Sequence, residues 1–298
     1  MTKETDSFWQ TPVFFHWQPA AWLRVSGEDA FTFLQGQFTN DLRLLERSGA
    51  VYGLWLNHKG RVLADSFILR ETENAFWVGS YFCASDVIRE RLEAFVIADD
   101  VVVEDVTRDW RGLTLFGPEE LTVGLRTLAG VTVFAGRRSA LAHREIVFPV
   151  SLESQVSSRL AGLTEVGGAE MELRRITDGI PAIPADIGPG ELPNEGGLEA
   201  GAISYTKGCY LGQEVMARLK SMGQVRRRLV RVKGAGGAPV VPTALHQGDR
   251  RIGELRTAIA GPDGFVGLAL LSLLHLRAGE GLSFSEGGEP VVKVSEPV

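Results

Sequence analysis

The sequence predicts an α+β fold, on three observations. A helical pattern near the start is followed by antiparallel hairpin signals and then by a second helix, the order of a layered α+β domain and not of a doubly wound sheet. No Gly-rich phosphate loop of either common form stands where a nucleotide-binding α/β fold needs one. After Lys233 the chain alternates short strand patterns with turns at Pro262-Asp263-Gly264 and Gly287-Gly288, which suits a small β-barrel or sandwich.

In order, residues 21–25 read as a strand. Ser26 is placed to cap a helix with Asp29 at its third position, and Ala30, Phe31, Phe33, Leu34, Phe38 and Leu42 recur at helical spacing. The polar stretch 35–41 reads as a solvated face, or as Asn40-Asp41 capping the helix end or reaching a pocket. Strands over 52–56 and 61–70 flank a hairpin turn at Asn57-His58-Lys59-Gly60, and a third covers 74–80. Ser85-Asp86 caps a helix whose inner face is Val87, Ile88, Leu92, Phe95 and Val96. Further strands fall at 101–103, 113–116, 131–138 and 145–150, and helices at 151–160 and 169–177. The stretch from Pro181 to Gly201 is too rich in Pro and Gly for regular structure, and long ordered loops are usually functional or linkers. Gly234-Ala235-Gly236-Gly237 marks a boundary, so the expected domains are 1–233 and 234–298.

A chain of 298 residues with 44% hydrophobic and 23% charged residues has the composition of a soluble globular protein. Its net charge of −6 argues against coating nucleic acid over the whole surface and leaves room for a local basic patch. Two cysteines make no disulfide framework and fit a reducing compartment. The polar N-terminus leads into no apolar run that could act as a signal peptide or membrane span, so the expected location is cytoplasmic. His16, His58, His143, His246 and His275 are dispersed without metal-ligand spacing, and two cysteines cannot supply four thiolates to an iron–sulfur cluster, so any cluster would be shared with a partner.

The densest polar chemistry is Lys207-Gly208-Cys209-Tyr210-Leu211-Gly212-Gln213-Glu214. The spacing of Leu211, Val215 and Leu219 predicts a helix from Gly208 to about Lys220. Cys209 then sits in the first turn with Gln213 on its face, where the helix dipole and Lys207 favour the thiolate. Gly208 and Gly212 would admit another backbone or a flat ring. Two readings of Cys209 stand, a reactive thiol and a small buried hydrophobe; Cys83, among apolar neighbours, is assigned to the core. From Val215 to Lys233 there are seven Lys/Arg (Arg218, Lys220, Arg226, Arg227, Arg228, Arg231, Lys233) and no Asp or Glu, which suits phosphates or a polyanionic tail, or a solvated face paired with acids elsewhere.

The Lys207–Glu214 motif resembles the signature of the YgfZ family, relatives of the glycine-cleavage T-protein. Leu23 to Asp41, Lys59 to Asp65, Arg175-Ile176, Gly179-Ile180-Pro181 and Met222 to Leu229 resemble other stretches of that family, so the likeness spans about residues 20–232. The resemblance implies a GcvT-like fold of interlocked α+β domains around a central opening, with a C-terminal barrel. It implies a folate-binding factor for iron–sulfur cluster assembly and cluster-dependent tRNA modification, with tetrahydrofolate or another folate as cofactor and iron–sulfur client or scaffold proteins as partners.

Carried onto this chain, Cys209 is the reactive or transiently cluster-ligating thiol and Lys207 raises its thiolate fraction. Tyr52, Asn57, Asp65, Lys207, Gly208, Tyr210, Gly212, Gln213, Glu214 and Arg218 face the folate, and Gln213 and Glu214 fix the motif by hydrogen bonds. Arg226, Arg227 and Arg228 meet a folate polyglutamate tail or tRNA phosphates. The T-protein carries two adjacent acids in its hairpin, where this chain has Ala64-Asp65, and a Gly-Tyr-Thr-Gly-Glu stretch that residues 135–140 lack. Both departures count against the alternative of a tetrahydrofolate-dependent aminomethyl- or methyltransferase. The other alternative is a tRNA-binding module. No oligomeric state is readable.

Overall fold

The structure, a computed structural model, describes residues 8–297. The chain forms two units that exchange segments along the sequence. One holds the chain up to Gln35, Asp41–Tyr52 and Ser66–Met171; the other holds Gly36–Asn40, Gly53–Asp65 and everything from Glu172 onward.

The first sheet has the order β10-β1-β7-β9-β8, with β1 Val13–Trp17, β7 Trp110–Phe116, β8 Thr132–Ala135, β9 His143–Pro149 and β10 Thr164–Glu165. The second has the order β3-β4-β5-β2-β6, with β2 Ala21–Ser26, β3 Ala50–Leu56, β4 Val62–Thr72, β5 Ala75–Ser80 and β6 Val102–Asp105. The first unit's core is aromatic: Trp22, Trp77 and Trp110 lie with ring centroids 4.8–6.0 Å apart. Such rings add specific geometry to large buried area. Gly79 of β5 makes room, because a Cβ there would lie 2.3 Å from the Trp22 ring.

The strands expected over 21–80 form as read, and the first two helices and the start of the chain differ. The first helix runs from Ala30 to Gln37, with Leu42 in a separate 3-10 turn capped by Asp41, and the Asp29 carboxylate accepts the Asp100 N–H at 2.8 Å. On the helix Ser85–Glu93, Ile88 and Leu92 are buried, whereas Val87 and Phe95 are exposed. The strand β1 was not legible, since Phe14 and Phe15 follow each other without polar alternation; its neighbours β7 and β10 cover both edges. Cys83 is in the core, 3% exposed.

The third sheet has the order β12-β13-β14-β11-β15, with β11 Arg227–Gly234, β12 Thr243–Gln247, β13 Arg250–Gly261, β14 Gly264–Ser272 and β15 Val292–Pro297. Its pairings are antiparallel. Ser283 bridges His246 of β12 while Leu282 bridges Val292 of β15. That short segment joins both edges of the sheet and closes it into a small barrel, which removes the exposed edges an open sheet would carry. Val230, Leu245, Leu255, Phe265 and Leu271 are among the residues that fill it.

The Pro/Gly-rich stretch before the motif is ordered. It contains a 3-10 turn at Pro193–Gly196 and a short helix at Glu199–Ala202. Carboxylates do for it what strand pairing does for a sheet. Asp186 accepts the Ala182 N–H at 2.8 Å, the Arg175 guanidinium at 2.6 Å and the Thr257 hydroxyl at 2.7 Å. Glu191 accepts the Gly188 N–H at 3.1 Å and Arg256 at 3.1 Å. Glu195 accepts the Leu192 N–H at 2.8 Å and holds Arg227 by two bonds of 2.8 and 3.0 Å. Among the described residues, no helix is long and apolar enough to cross a membrane.

Candidate functional site

The motif is a loop and not the start of a helix. The helix begins at Gln213 and runs to Met222, with Gly212 at its N-cap in the left-handed region (φ 88°). Leu211, Val215 and Leu219 are only half-buried; the residue fully buried is Met216. Cys209 therefore lies outside the first turn and does not share a helix face with Gln213. It is exposed on the loop. The misplacement has a local cause. The apolar spacing is equally satisfied by a helix beginning five residues later, and the positive φ at Gly212 stops the helical conformation from extending back.

Lys207 is an anchor, which corrects its expected role beside the thiol. Its side chain is buried at 4% exposure, and Nζ donates to the Phe38 carbonyl at 2.6 Å and the Asn40 carbonyl at 3.1 Å. The same segment is stitched on both sides. Thr39 Oγ1 donates to the Ala202 carbonyl at 2.6 Å and accepts the Leu54 N–H at 2.8 Å; the Ser204 N–H donates to the Thr39 carbonyl at 3.0 Å. Ser204 Oγ in turn accepts the Lys207 N–H at 3.2 Å. The polar stretch 35–41 thus supplies the carbonyls that hold the motif. That was hidden in the sequence, because the acceptors are backbone atoms that no residue type announces.

Tyr210 and Gly212 complete the clamp. Tyr210 is 6% exposed, with the Lys207 ammonium 5.2 Å from its ring centroid; burial pushes its hydroxyl pKa well above the usual phenol range. A Cβ on Gly212 would stand 2.9 Å from the Asn57 carbonyl and 3.2 Å from Gly60 Cα, so the close approach expected at this glycine is to the hairpin backbone. Gly208 has nothing within 4 Å of a built Cβ and makes no such approach. Replacing Gly212 by Ala combines an L-residue at positive φ, about 1–2 kcal/mol, with a backbone clash. The expected result is a lower urea midpoint for the second unit; an unchanged midpoint would show that the loop is not clamped there.

Several other expected roles are corrected. Glu214 is exposed, Gln213 opens the helix, and neither side chain makes a fixing hydrogen bond among the described residues. Asn57 Oδ1 accepts the N–H groups of Lys59 (2.8 Å) and Arg61 (3.0 Å), so its carboxamide oxygen builds the hairpin turn. Asp65 is buried at 5% exposure on the same hairpin, and Ala64 beside it at 1%. Tyr52 belongs to the other unit, where the Arg137 guanidinium covers its ring at 3.9 Å. The neighbouring Arg138 lies 4.6 Å from Trp17 and 4.0 Å from Tyr81, above Glu145, which accepts the Tyr81 and Thr114 hydroxyls at 2.9 Å each. The stretch that lacks the T-protein's Gly-Tyr-Thr-Gly-Glu is therefore occupied by two arginines stacked on aromatic rings.

The basic run divides. Arg227 is taken up by Glu195 and Glu191, and Arg231 donates to the Thr177 carbonyl at 2.7 Å, so these two pair internally. Arg228 is half-buried. Arg218 and Arg226 are exposed and make no side-chain ion pair among the described residues. No group of three or more His, Cys, Asp or Glu disposed to hold a metal ion occurs among the described residues.

Comparison with known proteins adds to this geometry. The GCVT N-terminal domain matches residues 3–133, and the CAF17 C-terminal beta-barrel domain matches residues 226–297. The human protein named iron-sulfur cluster assembly factor IBA57, mitochondrial, is 31% identical over 290 residues, covering 87% of this chain and 79% of its own. The tRNA-modifying protein YgfZ of Escherichia coli O127:H6 is 24% identical, covering 81% of this chain and 79% of its own. The crystal structure of glycine cleavage system aminomethyltransferase T from Bartonella henselae superposes with a TM-score of 0.80 at 18% identity, covering 98% of this chain and 87% of its own. That likeness establishes the GcvT-like fold. The relatives named IBA57 are mitochondrial, which overturns the cytoplasmic expectation. The expectation had rested on missing signals, and an absent signal carries no positive address. With a GcvT-type N-terminal region, a CAF17-type barrel and the match to human IBA57 over most of both chains, the protein belongs to the IBA57/YgfZ family.

Proposed function

We propose that the protein is a folate-binding factor in iron–sulfur cluster assembly or repair that presents Cys209 as its reactive or transiently ligating thiol. The observation that carries this is the display of the thiol: an exposed Cys209 set between two buried anchors, Lys207 and Tyr210. A thiol held at the surface by a rigid base can meet a partner without the base moving. The names of the relatives supply the context, cluster assembly for the human protein and tRNA modification for the Escherichia coli one.

With no group of three or more His, Cys, Asp or Glu disposed to hold a metal among the described residues, Cys209 would hold a cluster together with thiolates from a client or scaffold protein. Folate fits the chain in part. Exposed Arg218 and Arg226 suit a polyglutamate tail or another polyanion, including tRNA phosphates. The carboxamide oxygen of Asn57 and the ring face of Tyr52 are already engaged within the protein. Ala64 offers no acid to one-carbon chemistry, so no transfer step is assigned to the folate.

Cys209→Ser tests the thiol. Because the residue is exposed, stability should stay within about 0.5 kcal/mol of wild type. Cluster-dependent enzyme activities, measured in cells carrying only the variant, should fall severalfold. Normal activities in those cells would remove Cys209 from the mechanism.

A further inference from the structure

We propose that a cleft on the C-terminal barrel binds a carboxylate carried on an apolar stem. Gln247, Asp249, Arg250, Leu274, His275 and Arg277 line one space of about 460 Å³, a volume in the range of small-ligand clefts. All six belong to the second unit. Gln247 ends β12, Asp249 lies in the turn that follows, Arg250 opens β13, and the other three come just after β14. The base of the cleft is built. Gln247 is 3% exposed, and its carboxamide is spent on the segment after β14. Nε2 donates to the Arg277 carbonyl at 3.0 Å and the Glu280 carbonyl at 3.3 Å, and Oε1 accepts the Arg277 N–H at 2.8 Å. These bonds fix the Arg277 backbone beside the β12–β13 turn. A Cβ on Gly248 would stand 3.7 Å from Arg277 Nη2, so that guanidinium lies over the turn. Arg250 leaves the far end of the same turn, and its Nη1 donates to His275 Nδ1 at 3.0 Å.

The donors in this cleft outnumber its acceptors. A guanidinium has no acceptor, so His275 accepts at Nδ1 and carries its ring proton on Nε2, where it can donate. Among the described residues Arg250 makes no ion pair, and Arg277 meets the half-exposed Glu280 carboxylate 3.3 Å from its Nε, a pair that water screens. Asp249 lines the same space but forms an ion pair with neither arginine among the described residues. Two guanidiniums and a ring N–H facing one space call for an anion, and the planar fork of arginine matches carboxylate and phosphate. Two features choose between these. The Asp249 carboxylate on the wall repels anions, and more strongly the more charge they carry, so a monoanionic carboxylate is preferred to a phosphate dianion. Leu274, 77% exposed, gives the cleft an apolar wall against which a hydrocarbon stem can lie. Such a carboxylate has two sources, a small free acid and the C-terminus of a partner chain ending in an apolar residue.

Calorimetric titration of the full chain tests the cleft with isocaproate, with the peptide N-acetyl-Gly-Gly-Leu, and with that peptide amidated at its C-terminus. Saturable binding of isocaproate or of the free-acid peptide is expected, and the tighter of the two identifies the source. The amidated peptide should bind at least about tenfold more weakly, since a hydrogen bond to a charged group contributes about that factor. Arg250→Gln and Arg277→Gln should each weaken the acids severalfold with an unchanged unfolding midpoint, because both side chains are exposed. Leu274→Ser should weaken isocaproate severalfold and leave acetate unaffected. Inorganic phosphate should bind wild type less tightly than isocaproate and gain on it in Asp249→Asn. None of these probes involves Cys209 or folate, so the outcome is independent of the role proposed for them. The site is overturned if neither acid saturates, if the amidated peptide binds as well as the free acid, if wild type prefers phosphate, or if neither arginine change alters binding.

Discussion

Replacing Asp186 by Ala is expected to destabilise the second unit by about 3–5 kcal/mol, the cost of removing one partner from a buried ion pair. Asp186 is fully buried, and the Arg175 side chain facing it is 3% exposed. Burial by itself would lower the Arg175 pKa, but the Glu172 and Asp186 carboxylates outweigh it and raise the value. Without Asp186, Arg175 loses its fully buried counter-charge, while the partly exposed Glu172 and the Ile180 carbonyl still accept from it. The Ala182 N–H and the Thr257 hydroxyl also lose their acceptor. These three donors come from the Pro/Gly-rich loop, the helix Gly168–Thr177 and β13, so one carboxylate ties the loop to two neighbours. Asp186→Asn keeps an acceptor oxygen and loses the charge, so it should cost less than the alanine change. Urea unfolding followed by circular dichroism checks both. An alanine variant within 1 kcal/mol of wild type, by the scale cited for buried pairs, would mean that the loop is held elsewhere.

The sequence showed most of the elements and the layered class, because hydrophobic periodicity and turn chemistry are local. The hairpin at Asn57–Gly60 is an example: Asn57 and the positive φ of Gly60 build the turn where it was expected. What it could not show were partners supplied by backbone or by distant residues. Lys207 beside Cys209 in sequence suggested electrostatics between neighbours, whereas the fold spends that ammonium on carbonyls from residues 38 and 40. Arg227 looked like a free cation because its acids, Glu191 and Glu195, precede it by more than thirty residues. Arg218 and Arg226, in contrast, are exposed. The helix start at Gln213 was missed because apolar spacing fixes a helix's face more firmly than its first residue.

Lys207→Met is the substitution that separates an anchor from a tuner of the thiol. If Lys207 served to promote the Cys209 thiolate, its loss would slow alkylation of the thiol and leave stability unchanged. The geometry predicts the reverse. Removing Nζ strands the Phe38 and Asn40 carbonyls beside the buried motif, which costs about 2–4 kcal/mol for two acceptors. The loss falls on the stitching around Thr39 and Ser204, so amide exchange should rise across residues 201–212 before the barrel is affected. Cys209, released from its base, should then be alkylated as fast as in wild type or faster. Lys207→Arg should not rescue the fold, because a planar guanidinium does not replace a compact ammonium between two carbonyls at 2.6 and 3.1 Å. A Lys207→Met protein of wild-type stability with a slower thiol would return Lys207 to the chemistry. A destabilised protein with a fast thiol means that loss of function on changing this lysine reports the collapse of the loop and carries no information about proton transfer.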